Sequence, residues 1–374
     1  MSETTRAGVP VSPTPLFEHA LRLHRLAPEQ PLPHRGEPYP DDTSHRGRRG
    51  PEAPEDRRSA GRDAARILDA HFARSSSPRA VADAFHDVYI PIHDNDHIAA
   101  AAERADRERV LRTGRWLVRY GTDRCAVTVG LALLAAVGTA EDVPLMRTIG
   151  LLSLQFGPLA ARGLESRPGG VEALLWLGER VTGWGRVYVV EALCRLDDPV
   201  ARPWLLRRAC DGDGLNGYFA GQVATVGRLH ESLADLGTDR EMVDHTGRLL
   251  YVMSGSGGMG LTLDRYPHAR AVLEAYGRHV GSLRPSLARY CTVGLLTAYL
   301  TEKSPEAGGC DPEQWAAIRA TYLSVLDREE WTETARAGLA SGDHRMEWLA
   351  EHGAPQLRLR AFRDRERRHA SPGL

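Results

Sequence analysis

One stretch of this chain occurs twice. GTDRCAVTVGLALLAAVGTAEDVPLMRTIG (121–150) and GWGRVYVVEALCRLDDPVARPWLLRRAC (183–210) align when Arg124 is laid on Arg186. Val127 then meets Val189, Leu131 meets Leu193, and Leu134 meets Leu196. After a turn three residues shorter in the second copy, Pro144 meets Pro203 and Leu145 meets Trp204. The offset at the arginine is 62 residues, and the interval holds FGPLAARGLESRPGGVEALLWLGERV (156–181), itself a helix–turn–helix pattern. One unit is therefore about 31 residues long. A single helix pair of that size cannot cover both of its faces, so it must stack on its neighbours. The pattern predicts an all-α chain in which antiparallel helix pairs share a continuous apolar seam.

The local chemistry agrees. Each first helix carries spaced Ala, Val and Leu, and each second helix opens with a proline. Proline lacks an N–H, and the first helical turn has no internal partner for one. Asp142, Asp197 and Asp198 stand where a helix start favours a capping oxygen and negative charge. Upstream, Ala64, Ile67, Leu68, His71 and Phe72 fall on one helical stripe, and Ser77-Pro78 starts another helix bearing Val81, Phe85 and Val88. A further helix is expected from about His97 to Tyr120. Downstream, 215–233 with 239–254 and 266–283 with 285–303 read as further pairs. Asp311 and Gln314 form a near capping box before a helix with Trp315, Ile318, Tyr322, Val325 and Leu326 on one side. REEWTETARAGLASG and HRMEWLAEHG make a last pair.

RVYVVEALCRLDDPVARPWLLRRA and RCAVTVGLALLAAVGTAEDVPLMRTI resemble HEAT repeats of the short bacterial kind. The resemblance implies an α-α superhelix, a HEAT-like solenoid, over residues 61–354. It also implies a concave surface on which second-helix side chains repeat in rows, suited to a protein partner. On those helices the candidate contact residues are Arg207, Arg208, His245, Arg248 and Tyr251, while Trp204 is expected between repeats. The expected function is that of a non-enzymatic interaction or scaffold protein. Some HEAT-like proteins are DNA glycosylases, so a DNA-binding enzyme on the same scaffold is the alternative from another class. A net charge of −1 and a pI near 7.0 argue against it, because no bulk field draws the chain to nucleic acid or an anionic membrane.

The flanks read differently. Residues 1–60 are rich in Pro, Arg, Asp and Glu and are expected to stay largely unstructured, apart from the short amphipathic piece LFEHALRLH (16–24). Residues 355–374 read as an arginine-rich, solvated tail. Of the 48 basic residues only Lys303 is lysine, which points to a GC-rich, bacterial coding sequence. Cys125, Cys194, Cys210, Cys291 and Cys310 are scattered, odd in number and never spaced C-x-x-C. That argues for a reducing cytoplasm and against a zinc or disulfide framework. The N-terminus has no apolar h-region, and AVTVGLALLAAVG is too short to span a bilayer.

Three motifs compete for chemistry. GSGGMG (255–260) fits the dinucleotide spacing G-x-G-x-x-G, but EMVDHTGRLLYVM before it has helical and not strand periodicity. An interhelical loop is expected there, and no cofactor. HDVYIPIHDNDHI (86–98) crowds His86, Asp87, His93, Asp94 and His97 together, types that share divalent metals. The segment is superficially similar to an all-helical, metal-dependent phosphohydrolase family, a second alternative. Pro91 separates its two His-Asp pairs, so a loop with an N-cap at Asp94, Asn95 and Asp96 is the expected reading. DGDGLNG (211–217) fails the EF-hand spacing at Leu215 and reads as a helix connection.

Overall fold

The computed structural model describes residues 13–47, 53–74, 76–234 and 239–363. Among them every regular element is helical and none is a strand. The chain divides into two compact units, Met1–Leu196 and Asp197–Leu374. The division falls inside the segment that the sequence presents as one domain, between the two helices of the second repeat copy.

The first unit contains α1 (Leu16–Leu26), α2 (Asp42–Gly47), α3 (Arg62–Phe72), α4 (Pro78–Ala82), α5 (Asp96–Arg104) and α6 (Arg107–Tyr120). It continues with α7 (Arg124–Val137), α8 (Val143–Ile149), α9 (Ser153–Glu165), α10 (Gly170–Gly178) and α11 (Trp184–Leu196). Helices α6, α7, α9 and α11 pack side by side in chain order, while α8 packs on α9 and α10, and α10 on α9 and α11. Each start is chemically marked. Asp106 and Asp123 accept backbone N–H groups of α6 and α7, and Thr139 and Asp142 form a reciprocal box before α8. The α6–α7 contact is close because Gly130 has no side chain. A Cβ there would stand 2.6 Å from the Leu117 Cβ and 3.1 Å from the Gly114 carbonyl oxygen.

The expectation of an unstructured N-terminal segment does not hold for its described part. Leu16, Phe17 and Ala20 of α1 are buried, and the Leu16 N–H donates to the Gly121 carbonyl at 3.0 Å. The Arg119 guanidinium covers the Phe17 ring at 4.2 Å. Arg180 donates to the Pro28 carbonyl and to Glu29, each at 2.7 Å, and lies over the Trp176 ring. Arg124 grips Asp41 and Asp42 and lies over the Tyr39 ring. The segment has few apolar residues of its own; arginines of the later helices supply the partners that its composition lacks. Residues 1–12 and 48–52 lie outside the described residues.

The second unit contains α12 (Arg202–Arg208), α13 (Ala220–Val226), α14 (Leu229–Ala234), α15 (Arg240–Gly255) and α16 (Ala269–Gly281). It ends with α17 (Leu287–Glu302), α18 (Pro312–Leu326), α19 (Glu329–Ala340), α20 (His344–His352) and α21 (Ala354–Leu357). The stripe Trp315, Ile318, Tyr322, Val325 and Leu326 is buried as its spacing predicts, behind a complete capping box of Asp311 and Gln314. Trp331 is fully buried against Tyr290, which also meets the buried Phe362. The beginning of the expected tail is thus part of the core: Leu357, Leu359, Ala361 and Phe362 are buried, and Arg360 pairs with Glu329 at 2.7 Å.

Three histidines carry a pH dependence. His71 is held below the ordinary histidine value by burial and then by Arg109; His24 by burial and then by Arg180 and Arg147. His230 is lowered by burial and then by His268, whose ring stacks on it at 3.5 Å. A lowered folded value means that the unfolded chain binds more protons in the titration window, so stability rises with pH there. The contribution is complete above the unfolded value of about 6.5 and is lost as pH falls through the lower folded values. Thermal melts should show a midpoint that drops on acidification below about pH 6.5, and His71→Gln should flatten the drop. An unchanged slope in that variant would remove His71 from the account.

Candidate functional site

The residues that the sequence nominates for partner contact converge on α12 and α15 of the second unit. Asp239 caps α15, its Oδ1 accepting the Met242 N–H at 2.9 Å. Its Oδ2 accepts from Arg207 Nε at 2.9 Å and Nη2 at 2.7 Å, so the cap of one helix is also the ion-pair partner of the other. The Met242 N–H and the Arg207 guanidinium hold the Asp239 carboxyl below its usual range. Arg208 pairs with Glu241 at 3.1 Å, and Arg289 of α17 makes a bidentate pair with Asp244 at 2.7 and 2.8 Å. These exposed or half-buried pairs fix geometry more than they add stability.

Glu241, Asp244, Arg248 and Tyr251 recur three, four and three residues apart, so they share one face of α15. A groove of about 490 Å³ is lined by Arg240, Glu241, Asp244 and Arg248. Tyr251 stands 46% exposed near the far end of the same helix. A second groove, also about 490 Å³, runs between Arg202, Pro203 and Arg207 on one side and Arg228, Glu231 and Met242 on the other. The first holds two arginines and two carboxylates; the second holds three arginines and one carboxylate, and those arginines pair with Asp197, Asp239 and Glu231.

His245 does not belong to this face. It is fully buried, and its Nε2 accepts the Cys210 N–H at 2.9 Å. Its position between Met242 and Leu249 on the inward stripe of α15 explains the difference. Sequence spacing missed Arg240, Glu241 and Asp244, although the helical register from Arg248 and Tyr251 points back to the last two.

No family model, no curated protein and no solved structure matches this chain.

The other motifs resolve locally. GSGGMG follows helix α15 and not a strand, and Gly258 adopts φ +84°, which suits a loop that leaves a helix. The loop packs on the turn before α13: a Cβ at Gly260 would stand 2.5 Å from the Gly217 carbonyl oxygen. DGDGLNG closes on itself, Asn216 Oδ1 accepting from the Asp211 and Gly212 N–H groups. The five residues 86, 87, 93, 94 and 97 do not gather into a site. His97 Nε2 bonds the Arg58 carbonyl at 2.8 Å, Asp94 pairs with Arg162 at 3.1 Å, and His93 meets Tyr188 edge-on. Asp87 lines a different pocket with Ser59, Arg62 and Asp63, and His86 turns to Asp123. Asn95 caps α5, which begins at Asp96 and so one residue earlier than the sequence suggests.

Proposed function

We propose that this chain is a non-enzymatic interaction protein and that the α12–α15 face takes an extended segment of a protein partner. The observation that carries this reading is the mixed charge of the face. Arg207 and Arg208 are already matched by Asp239 and Glu241, and the groove beside them holds two arginines and two carboxylates. Binding of a phosphate backbone needs a long run of unmatched cations, and after the pairs to Asp239, Glu241 and Asp244 are made this face offers only Arg240 and Arg248. That weighs against the DNA-binding and glycosylase alternative. A peptide with both charge signs would pair with Arg240, Arg248 and Glu241 and lay an apolar side chain on Tyr251.

The HEAT-like arrangement belongs to the same proposal. It is supported by the packing of α7, α9 and α11 in one row with α8 and α10 behind, the order that stacked helix pairs produce. A cytoplasmic setting is supported by five cysteines that are all free. No described helix is long and apolar enough to cross a membrane.

The test is site-specific photo-crosslinking in the native cell. A benzophenone side chain in place of Tyr251 should give a discrete protein adduct that Arg248→Glu removes. The same probe in place of Trp348, also exposed, is the control for surface collisions. A nucleic-acid adduct at position 251, or a pattern no different from that at 348, would end this reading.

A further inference from the structure

Scattered cysteines and the lack of any C-x-x-C argued against zinc in the sequence. In the folded first unit, however, three distant segments bring metal-binding side chains to one point. His45 comes from α2, His86 follows the helical turn after α4, and Asp123 and Cys125 stand at the start of α7. One ligand atom from each of His45, Asp123 and Cys125 lies within 4.8 Å of the others. His86 Nδ1 adds a fourth, 3.3 Å from Asp123 Oδ2. Neighbouring ligand atoms around a tetrahedral zinc stand roughly 3.3–3.8 Å apart, given its bond lengths. The His86–Asp123 edge already has that spacing, the edges among His45, Asp123 and Cys125 close from at most 4.8 Å, and His86 must turn toward His45 and Cys125 to complete the set.

A second observation is independent of the clustering. Asp123 is 8% exposed, and its two oxygens have different environments. Oδ1 accepts the Cys125 and Ala126 N–H groups as the cap of α7. Oδ2 is buried and makes no hydrogen bond among the described residues, although His86 stands beside it without hydrogen-bond alignment. A buried carboxylate oxygen left in this state is costly unless something cationic meets it. Arg124, next in the chain, does not do so, because its guanidinium is committed to Asp41 and Asp42. That commitment also screens its charge from an incoming ion.

We propose that His45, His86, Asp123 and Cys125 form a four-coordinate site for a divalent zinc-type ion that clips α2 to the start of α7. The donor set, two imidazoles, one carboxylate and one thiolate, suits zinc better than magnesium or calcium. Loading converts the Cys125 thiol to thiolate, and its proton leaves to solvent. Thiolate and carboxylate then balance the two positive charges of the ion. With four protein ligands and little exposure the site is closed and structural, and it has no open position for hydrolytic chemistry.

The experiment uses the full chain, stripped of metal and titrated with Co²⁺ under anaerobic conditions. One equivalent should produce the near-ultraviolet thiolate-to-cobalt charge-transfer band together with visible bands of tetrahedral intensity, and Zn²⁺ should displace both. Cys125→Ser should lose the charge-transfer band, whereas Cys291→Ser, in the second unit, should keep it. His86→Gln and His45→Gln should keep the band but weaken binding by more than about tenfold, since loss of even an indirect ligand partner costs that much. No band in the parent chain at one equivalent, or a band that survives Cys125→Ser, would overturn the site. If Cys125→Ser does not fold by circular dichroism, the histidine variants decide: unchanged Co²⁺ affinity in both would overturn it equally.

Discussion

Arg124→Ala should destabilise the first unit by about 3–5 kcal/mol, the cost of breaking a buried pair from one side. The Arg124 side chain is only 15% exposed and that of Asp41 only 1%, so water replaces little of what is lost. Asp41 would lose two guanidinium hydrogen bonds, at 2.9 and 2.8 Å, and Tyr39 would lose the cation over its ring. Arg124→Lys should recover only a small part, because an ammonium cannot reproduce the bidentate fork. Urea denaturation gives the magnitude, and hydrogen exchange gives the place. Protection should fall first in α2 and the turn before it, which the arginine holds from a distance in sequence. If the paired replacement Arg124→Gln with Asp41→Asn is as damaging as Arg124→Ala, shape and not charge pairing governs this contact.

Trp331→Ala should cost the second unit a comparable amount, about 3–5 kcal/mol, by opening a cavity beside Tyr290, whose other edge meets Phe362. The indole is fully buried, but its Nε1 makes no hydrogen bond among the described residues. Trp331→Phe should therefore be much milder than Trp331→Ala, since it keeps most of the apolar volume and removes a buried donor. Equal losses in the two variants, measured by the same denaturation, would mean that the indole nitrogen has a partner in solution.

Much of the helical layout can be read in the residues. The pairing of Arg124 with Arg186 places two helix starts within two residues, and Pro144 and Pro203 both fall in the first turn of α8 and α12. Such signals are local: a cap or a proline acts on the turn that contains it. The N-terminal segment misled for the opposite reason. Its composition forecasts its behaviour in isolation, whereas Arg119, Arg124 and Arg180 decide its behaviour in the fold. The candidate face was half legible. Arg207, Arg208, Arg248 and Tyr251 lie on exposed or half-buried parts of their helices, but His245 shares the inward stripe with Met242 and Leu249, a register available in the sequence. The cluster of His45, His86, Asp123 and Cys125 gave no sequence signal, because its ligands come from three segments with no fixed spacing between them.

The anchoring of the first helices by later arginines sets an order of events at the ribosome. Pro28 and Glu29 are synthesised early, but Arg180, which bonds both, lies 152 and 151 positions further on. At ordinary elongation rates the nascent segment waits roughly 8–30 s before that partner exists. The apolar side of α1, with Leu16 and Phe17, has nothing native to cover it until α6, with Arg119, and then α8 have been made. A nascent chain halted before α6 should thus be a better client for a holding chaperone than one halted after α8, while the Pro28–Glu29 segment stays unanchored until Arg180 is made.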